Sequence, residues 1–184
     1  MKIQDIKSKT HPSTPPRGTL FHGTSEYVLG EIESGRNRIQ RVYKHNNVSL
    51  GGAYLTYFWS VANVAAKTAA REHRSKPIVL AVKITSDLFP DEDWVVAAAE
   101  RPKPSDFDFA SETYRNHQYQ GFFEDLFSEY LGEGHSLSDE YVRRYDELND
   151  LYGITWRDSF RYKGSVRQAN PITAEQITSV WTAI

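Results

Sequence analysis

The sequence predicts an α+β fold: a mixed or split β-sheet flanked by helices, with a helical insertion ahead of the last strands. Three observations point there. Ile78-Val-Leu-Ala-Val-Lys-Ile84 is a short, continuous, β-branched run of the kind a buried strand needs. Strand and helix patterns alternate from Leu20 up to that run. The alternation then fails, since helical periodicity dominates the next stretch and strand character returns only from Ser159. A mixed or split sheet therefore fits better than a regular doubly wound one.

Taken in order, residues 1–18 are polar, contain Pro12, Pro15 and Pro16, and read as an extended arm. Gly18-Thr-Leu-Phe-His22 reads as a short strand closed by Gly23. Thr24 or Ser25 can cap a helix whose apolar residues Tyr27, Val28, Leu29 and Ile32 lead to a stop at Gly35. Arg36 to Leu50 is basic, asparagine-rich and without period, and reads as a loop. Ala53-Tyr-Leu-Thr-Tyr-Phe58 is a strand-like run after the Gly51-Gly52 turn. An alanine-rich helix follows from Ser60 to about His73, with Val61, Ala62, Ala65, Ala66 and Ala69 on one side. Beyond the Ile78 strand come the acidic turn Pro90-Asp-Glu-Asp93 and a polar insertion to about Gln120. Helices are expected near Phe122 to Leu131 and Ser138 to Tyr152, the second from the spacing of Tyr141, Tyr145, Leu148 and Leu151. Strands are expected over Ser159 to Gln168 and Ile177 to Thr182. No repeat and no long linker interrupts the chain, so 1–184 reads as a single domain.

Composition narrows the function. A chain of 184 residues can bury roughly 70 % of its unfolded surface and needs no staples. With no cysteine, disulfides, thiolate nucleophiles, Cys-type zinc sites and iron–sulfur clusters are excluded, and a reducing, cytoplasmic location is expected. The longest apolar runs, such as Pro77 to Val82, fall far short of the roughly 20 residues of a membrane span. The first residues lack the apolar core of a secretory signal. A net charge of −2 argues against a broadly basic nucleic-acid binder but leaves room for a local basic groove.

Two short motifs carry chemistry. Phe21-His-Gly-Thr-Ser25 sets a histidine at a strand end beside a glycine whose missing side chain lets a ligand approach the backbone. Such a pair can hold a ribose hydroxyl on one side and a carboxamide on the other. In Gly51-Gly-Ala-Tyr-Leu-Thr56, Tyr54 can stack on a flat ring, with the alanines behind it allowing close helix–sheet packing. Taken singly, a histidine at a strand end is more often structural, and Tyr54 reads equally as a core tyrosine. The remaining histidines, at 11, 45, 73, 117 and 135, lack metal-ligand spacing, and no metal is expected.

In combination the order is strand-His-Gly-Thr-Ser, a helix ending in Gly, a variable loop, Gly-x-Tyr-Leu-Thr and an alanine-rich helix into a buried strand. This resembles the ADP-ribosyltransferase superfamily, in its histidine–tyrosine branch of diphtheria-like toxins, poly-ADP-ribose polymerases and RNA 2′-phosphotransferases. The resemblance covers Leu20 to Ile84 and, more loosely, Gly164 to Ile177. It implies a split ADP-ribosyltransferase-like sheet and NAD as the cofactor-like substrate. It further implies that His22 holds the adenosine-side ribose, Gly23 binds the nicotinamide carboxamide through its backbone, and Tyr54 stacks on nicotinamide. Thr24 and Thr56 become supporting contacts, and Arg41, in the basic run Arg36 to Lys44, can pair with the pyrophosphate. The implied partners are NAD, a protein or nucleic-acid acceptor, no membrane, and a cognate antitoxin or immunity protein if the chain is a bacterial or phage toxin.

The sequence departs from the family at its third element, a glutamate on a late strand. Ser165-Val-Arg-Gln-Ala169 holds Gln168 there, which can bond a ribose hydroxyl but brings no charge. Glu175 lies beyond the strand, where it reads as a cap. The acidic turn is the other source of an anion, with Asp91 and Asp93 able to orient a nucleophile. The expectation is therefore a mono-ADP-ribosyltransferase with His22, Tyr54, Asp91, Asp93 and Gln168 as catalytic candidates. An RNA 2′-phosphotransferase-like enzyme using arginines such as Arg167, or a silent NAD-binding module, stands beside it.

Overall fold

The structure, a computed structural model, describes residues 12–38, 42–44, 47–49, 52–91, 139–151 and 153–184. The elements in chain order are β1 (Thr19–Ser25), α1 (Glu26–Glu33), β2 (Val42–Lys44), β3 (Asn47–Ser49), β4 (Ala53–Thr56), α2 (Trp59–His73), β5 (Pro77–Lys83), β6 (Leu88–Pro90), α3 (Asp139–Leu151), α4 (Trp156–Lys163), β7 (Ser165–Gln168), a 3-10 turn (Ala174–Gln176) and β8 (Ile177–Thr182). Contacts divide the chain into two compact units: Met1–Ile39 with Gly52–Leu88 and Gly164–Ile184, and Gln40–Gly51 with Phe89–Lys163.

The class is α+β, with a six-stranded sheet in the order β6-β7-β4-β1-β5-β8. The sheet is antiparallel rather than mixed, in every pair whose register is defined. The reason lies in where β1 sits. Strand β4, helix α2 and strand β5 form the crossover that normally joins two parallel neighbours, but β1 lies between β4 and β5 and runs against both.

Helix α2 packs on β1 and β5 because its small residues allow it. Ala62, Ala66 and Ala70, four apart, are its buried positions. With Phe21, Val79, Ala81, Trp181 and Ala183 the first two form one core, against which Trp59 packs. Phe21, Trp59 and Trp181 meet edge to face, with ring centroids 5.5, 6.0 and 5.9 Å apart; each such pair adds about 0.5–1.5 kcal/mol beyond its burial. The approach is so close that a Cβ on Gly23 would lie 1.9 Å from the Ala62 carbonyl oxygen. Gly23 therefore does not end β1, which runs on to Ser25. Ser25 accepts from the Val28 N–H and caps α1, and Gly35, at φ +68°, follows the helix.

In the second unit, the basic segment expected as a loop contains the β2–β3 hairpin, registered Val42 to Ser49 and Lys44 to Asn47. Helix α3 matches its expected span and buries Tyr145 and Asn149, four apart. The strand expected from Ser159 is corrected: Trp156–Lys163 is helical and only Ser165–Gln168 is strand. Its start and stop signals outweigh the alternation. Asp158 accepts from both the N–H and the hydroxyl of Thr155 at 2.8 Å, as a capping residue does, and Gly164, at φ +69°, ends the helix. The Phe122–Leu131 helix falls outside the described residues.

Candidate functional site

The site begins where β1 and β4 part. Strand β1 pairs with β5 along all seven of its residues, from Thr19 to Ser25. With β4 it has one register position, Phe21 to Thr56. The Tyr57 N–H already bonds the Gly164 carbonyl on the β7 side, so Phe21 and Thr56 exchange their own backbone bonds. Backbone groups in a strand alternate sides. The N–H and C=O of Gly23, two residues on, therefore also face the β4 side, where the ladder has stopped.

His22 reaches across the gap beyond that single register position. Its Nδ1 lies 2.9 Å from the Tyr54 carbonyl oxygen. A carbonyl can only accept, so Nδ1 carries the hydrogen and donates, leaving Nε2 with a free lone pair in the neutral ring. Burial lowers the His22 pKa below its ordinary 6.5, and the bond to Tyr54 pulls weakly the other way. Near neutral pH, Nε2 is then an acceptor suited to a hydroxyl. Beside it Gly23, only part-buried, offers one donor and one acceptor on the same strand edge, the complement of a primary carboxamide.

The other expected residues of the first unit are placed as follows. Tyr54 is part-buried and registered opposite Arg167 of β7. Thr24 is buried and paired in register with Ile78. The Thr56 hydroxyl is occupied by the protein itself, donating to the Gly164 carbonyl at 2.8 Å and accepting from the Phe58 N–H at 3.1 Å. It shapes the turn from β4 into α2.

Gln168 is buried and bound to a residue the sequence reading passed over, Gln176. Gln176 Nε2 donates to Gln168 Oε1 at 2.9 Å and to the Lys83 carbonyl at 3.1 Å. Gln168 Nε2 donates to the Asn170 carbonyl at 3.0 Å. Gln176 Oε1 in turn accepts from the Thr173 N–H, closing a capping box. The Thr-x-x-Gln spacing was the signal for Gln176. Glu175, exposed in this same turn, has its pKa lowered by its own backbone N–H and then by the Thr173 hydroxyl.

Of the acidic turn, Asp91 belongs to the second unit and follows β6 rather than β5. It is the one buried carboxylate among the described residues, and its N–H donates to Ser159 Oγ at 3.0 Å. Glu92, Asp93 and Arg41 lie outside the described residues. Among the described residues no cluster of acidic or histidine side chains could hold a metal ion, and no helix is long and apolar enough to cross a membrane.

Compared with known proteins, the chain matches no family model, no curated protein and no solved structure. Its function rests on the geometry alone.

Proposed function

We propose that the chain is an NAD-dependent mono-ADP-ribosyltransferase acting on a macromolecule. The observation that carries this reading is the short ladder between β1 and β4: a neutral His22, fixed by Tyr54, presents an acceptor beside the unladdered N–H and C=O of Gly23. Those are the groups needed to grip a ribose hydroxyl and a carboxamide, which NAD carries at separate points along its length. Gripped at both, NAD is held bent, and nicotinamide departs through an oxocarbenium-like transition state. The protein's part is positioning and electrostatic stabilisation. Tyr54 supplies a ring face for nicotinamide. β7 itself carries no carboxylate to balance the charge of that transition state. A toxin or effector of this kind works in a cytoplasm and is paired with an antitoxin or immunity protein.

Gln168 favours a second reading. An amide tied into a buried pair with Gln176 cannot serve as a base, which suits a module that binds NAD without turnover. Incubating the protein with NAD labelled on its adenylate and with a cell lysate separates the two. Label in a macromolecule, lost in His22→Ala, is the expected result. Saturable NAD binding with no label transferred selects the silent module, and no NAD binding at all refutes both.

A further inference from the structure

We infer that the surface formed by the start of α1 and the end of α2 binds single-stranded nucleic acid, through the stacked rings of Tyr27 and His73 and the cations Arg71, Arg74 and Lys76. Three independent observations meet there. The Tyr27 ring is stacked on the His73 imidazole, centroids 5.0 Å apart and planes 23° apart, yet Tyr27 remains 54 % exposed. A flat aromatic surface is thus presented to solvent, ready for a base to extend the stack. The chain around it is locally basic within an acidic protein. Lys67 to Lys76 holds four cations against one carboxylate, while the whole chain carries −2. Among the described residues, Lys76 is the one of those cations within ion-pair distance of a carboxylate, Glu26 at 4.0 Å. Finally, Arg74 caps α2 at φ 49°, the single non-glycine residue at positive φ among the described residues. Glycine fills that position without strain. An arginine held there in a strained conformation points to a use for its side chain.

The platform is rigid enough to recognise a ligand. The Glu26 N–H donates to the Lys76 carbonyl at 2.8 Å and the Tyr27 N–H to Ser75 Oγ at 3.3 Å, fastening α1 to the α2–β5 connection. Cations alone would suit an acidic peptide equally well. The exposed ring pair is what selects a strand of bases, and a duplex, its bases already stacked on one another, has no free face to offer.

The surface stands apart from the NAD reading. Only one step rests on that reading, that the bound strand is the acceptor. The test measures fluorescence anisotropy of labelled oligothymidylate and oligouridylate of about twelve nucleotides, without NAD. Affinity is expected to fall roughly eighteenfold between about 50 and 200 mM salt, as for three phosphates neutralised on a single strand. Tyr27→Ala should weaken binding at least about fivefold. Arg74→Gly should weaken it and flatten the salt dependence, while its thermal midpoint stays equal or rises because the strain is relieved; Arg74→Asn, also tolerant of that conformation, is the control for folding. No binding at low salt overturns the proposal. So do wild-type affinity in both Tyr27→Ala and Arg74→Gly, or equal binding of a duplex or of polyglutamate. Adding labelled NAD to the bound oligonucleotide then tests the acceptor step: transfer supports it, while binding without transfer upholds the surface and counts against single-stranded nucleic acid as the acceptor.

Discussion

His22 donates from Nδ1 to the carbonyl oxygen of Tyr54 across the gap between β1 and β4, 2.9 Å apart. The two candidate residues are thus one unit: the ring of the first is oriented by the backbone of the second. Removing the ring takes away the Nε2 acceptor and one hydrogen bond, while both strands keep their other partners. His22→Ala should lower NAD turnover by an amount equivalent to about 2–4 kcal/mol of transition-state stabilisation, against a stability loss of only about 1 kcal/mol. Steady-state kinetics and thermal denaturation of the purified variant measure both. Wild-type turnover would refute the NAD site.

The lowered His22 pKa sets a direction for pH. Above 6.5 His22 is neutral in both folded and unfolded chains and adds no linkage. Below 6.5 the unfolded chain takes up the proton first, so stability falls as pH falls, until the folded His22 protonates as well. NAD binding should hold level through neutrality and fail only on the acid side of 6.5, when Nε2 becomes a donor. Thermal midpoints and NAD affinity from about pH 8 down to 5, compared with His22→Asn, check this. The same acid slope in the variant would assign the effect to other groups.

Stacking and hydroxyl chemistry separate at Tyr54. Tyr54→Phe keeps the ring face and the backbone carbonyl that holds His22, and should bind NAD nearly as the parent does. Tyr54→Ala also keeps the carbonyl but loses the face, weakening binding by about 1–3 kcal/mol. Equal losses measured by calorimetry in the two variants would show that the hydroxyl, not the ring, matters.

Restoring a carboxylate on β7 is the obvious way to test the absent glutamate, and the Gln168–Gln176 pair decides its outcome. In Gln168→Glu the donor to the Asn170 carbonyl is lost and a charge is buried beside Gln176 Oε1. A loss of about 1–3 kcal/mol of stability with no gain in NAD hydrolysis is expected. Increased hydrolysis would mean that the pair opens and that position 168 does face the substrate. Asp91→Asn, assayed alongside, should abolish transfer if the acidic turn supplies the anion.

Much of this architecture was legible in the sequence, for identifiable reasons. The β-branched run at Ile78, the alanine-rich helix with Ala62 and Ala66 inward, and the Ser25 cap each encode a local preference that tertiary packing reinforces. The buried face of that helix, though, turns toward Ala70 and leaves Val61 and Ala65 exposed. Gly23 was misread as a strand end because its meaning is not local: it exists to admit the Ala62 carbonyl from an element forty residues away in sequence. The antiparallel sheet was hidden for a similar reason, since no local pattern announces that β1 slips between β4 and β5. Around the site, His22 and Tyr54 were visible as residue types in order. The bond between them involves a backbone carbonyl, which a sequence cannot display, and the occupation of Gln168 depended on a partner eight positions away across a turn.

The central place of β1 also governs how the chain is made. Its ladder with β5 joins residues about sixty positions apart, and Ala53 of β4 waits for Gln168 of β7, over a hundred positions later. Non-local pairing of this kind slows folding and leaves strand edges uncovered meanwhile. During synthesis β4 and β5 each keep a bare edge until the last strands emerge, so a nascent or truncated chain stopping before Gly164 should be prone to aggregation and a substrate for chaperones and proteases.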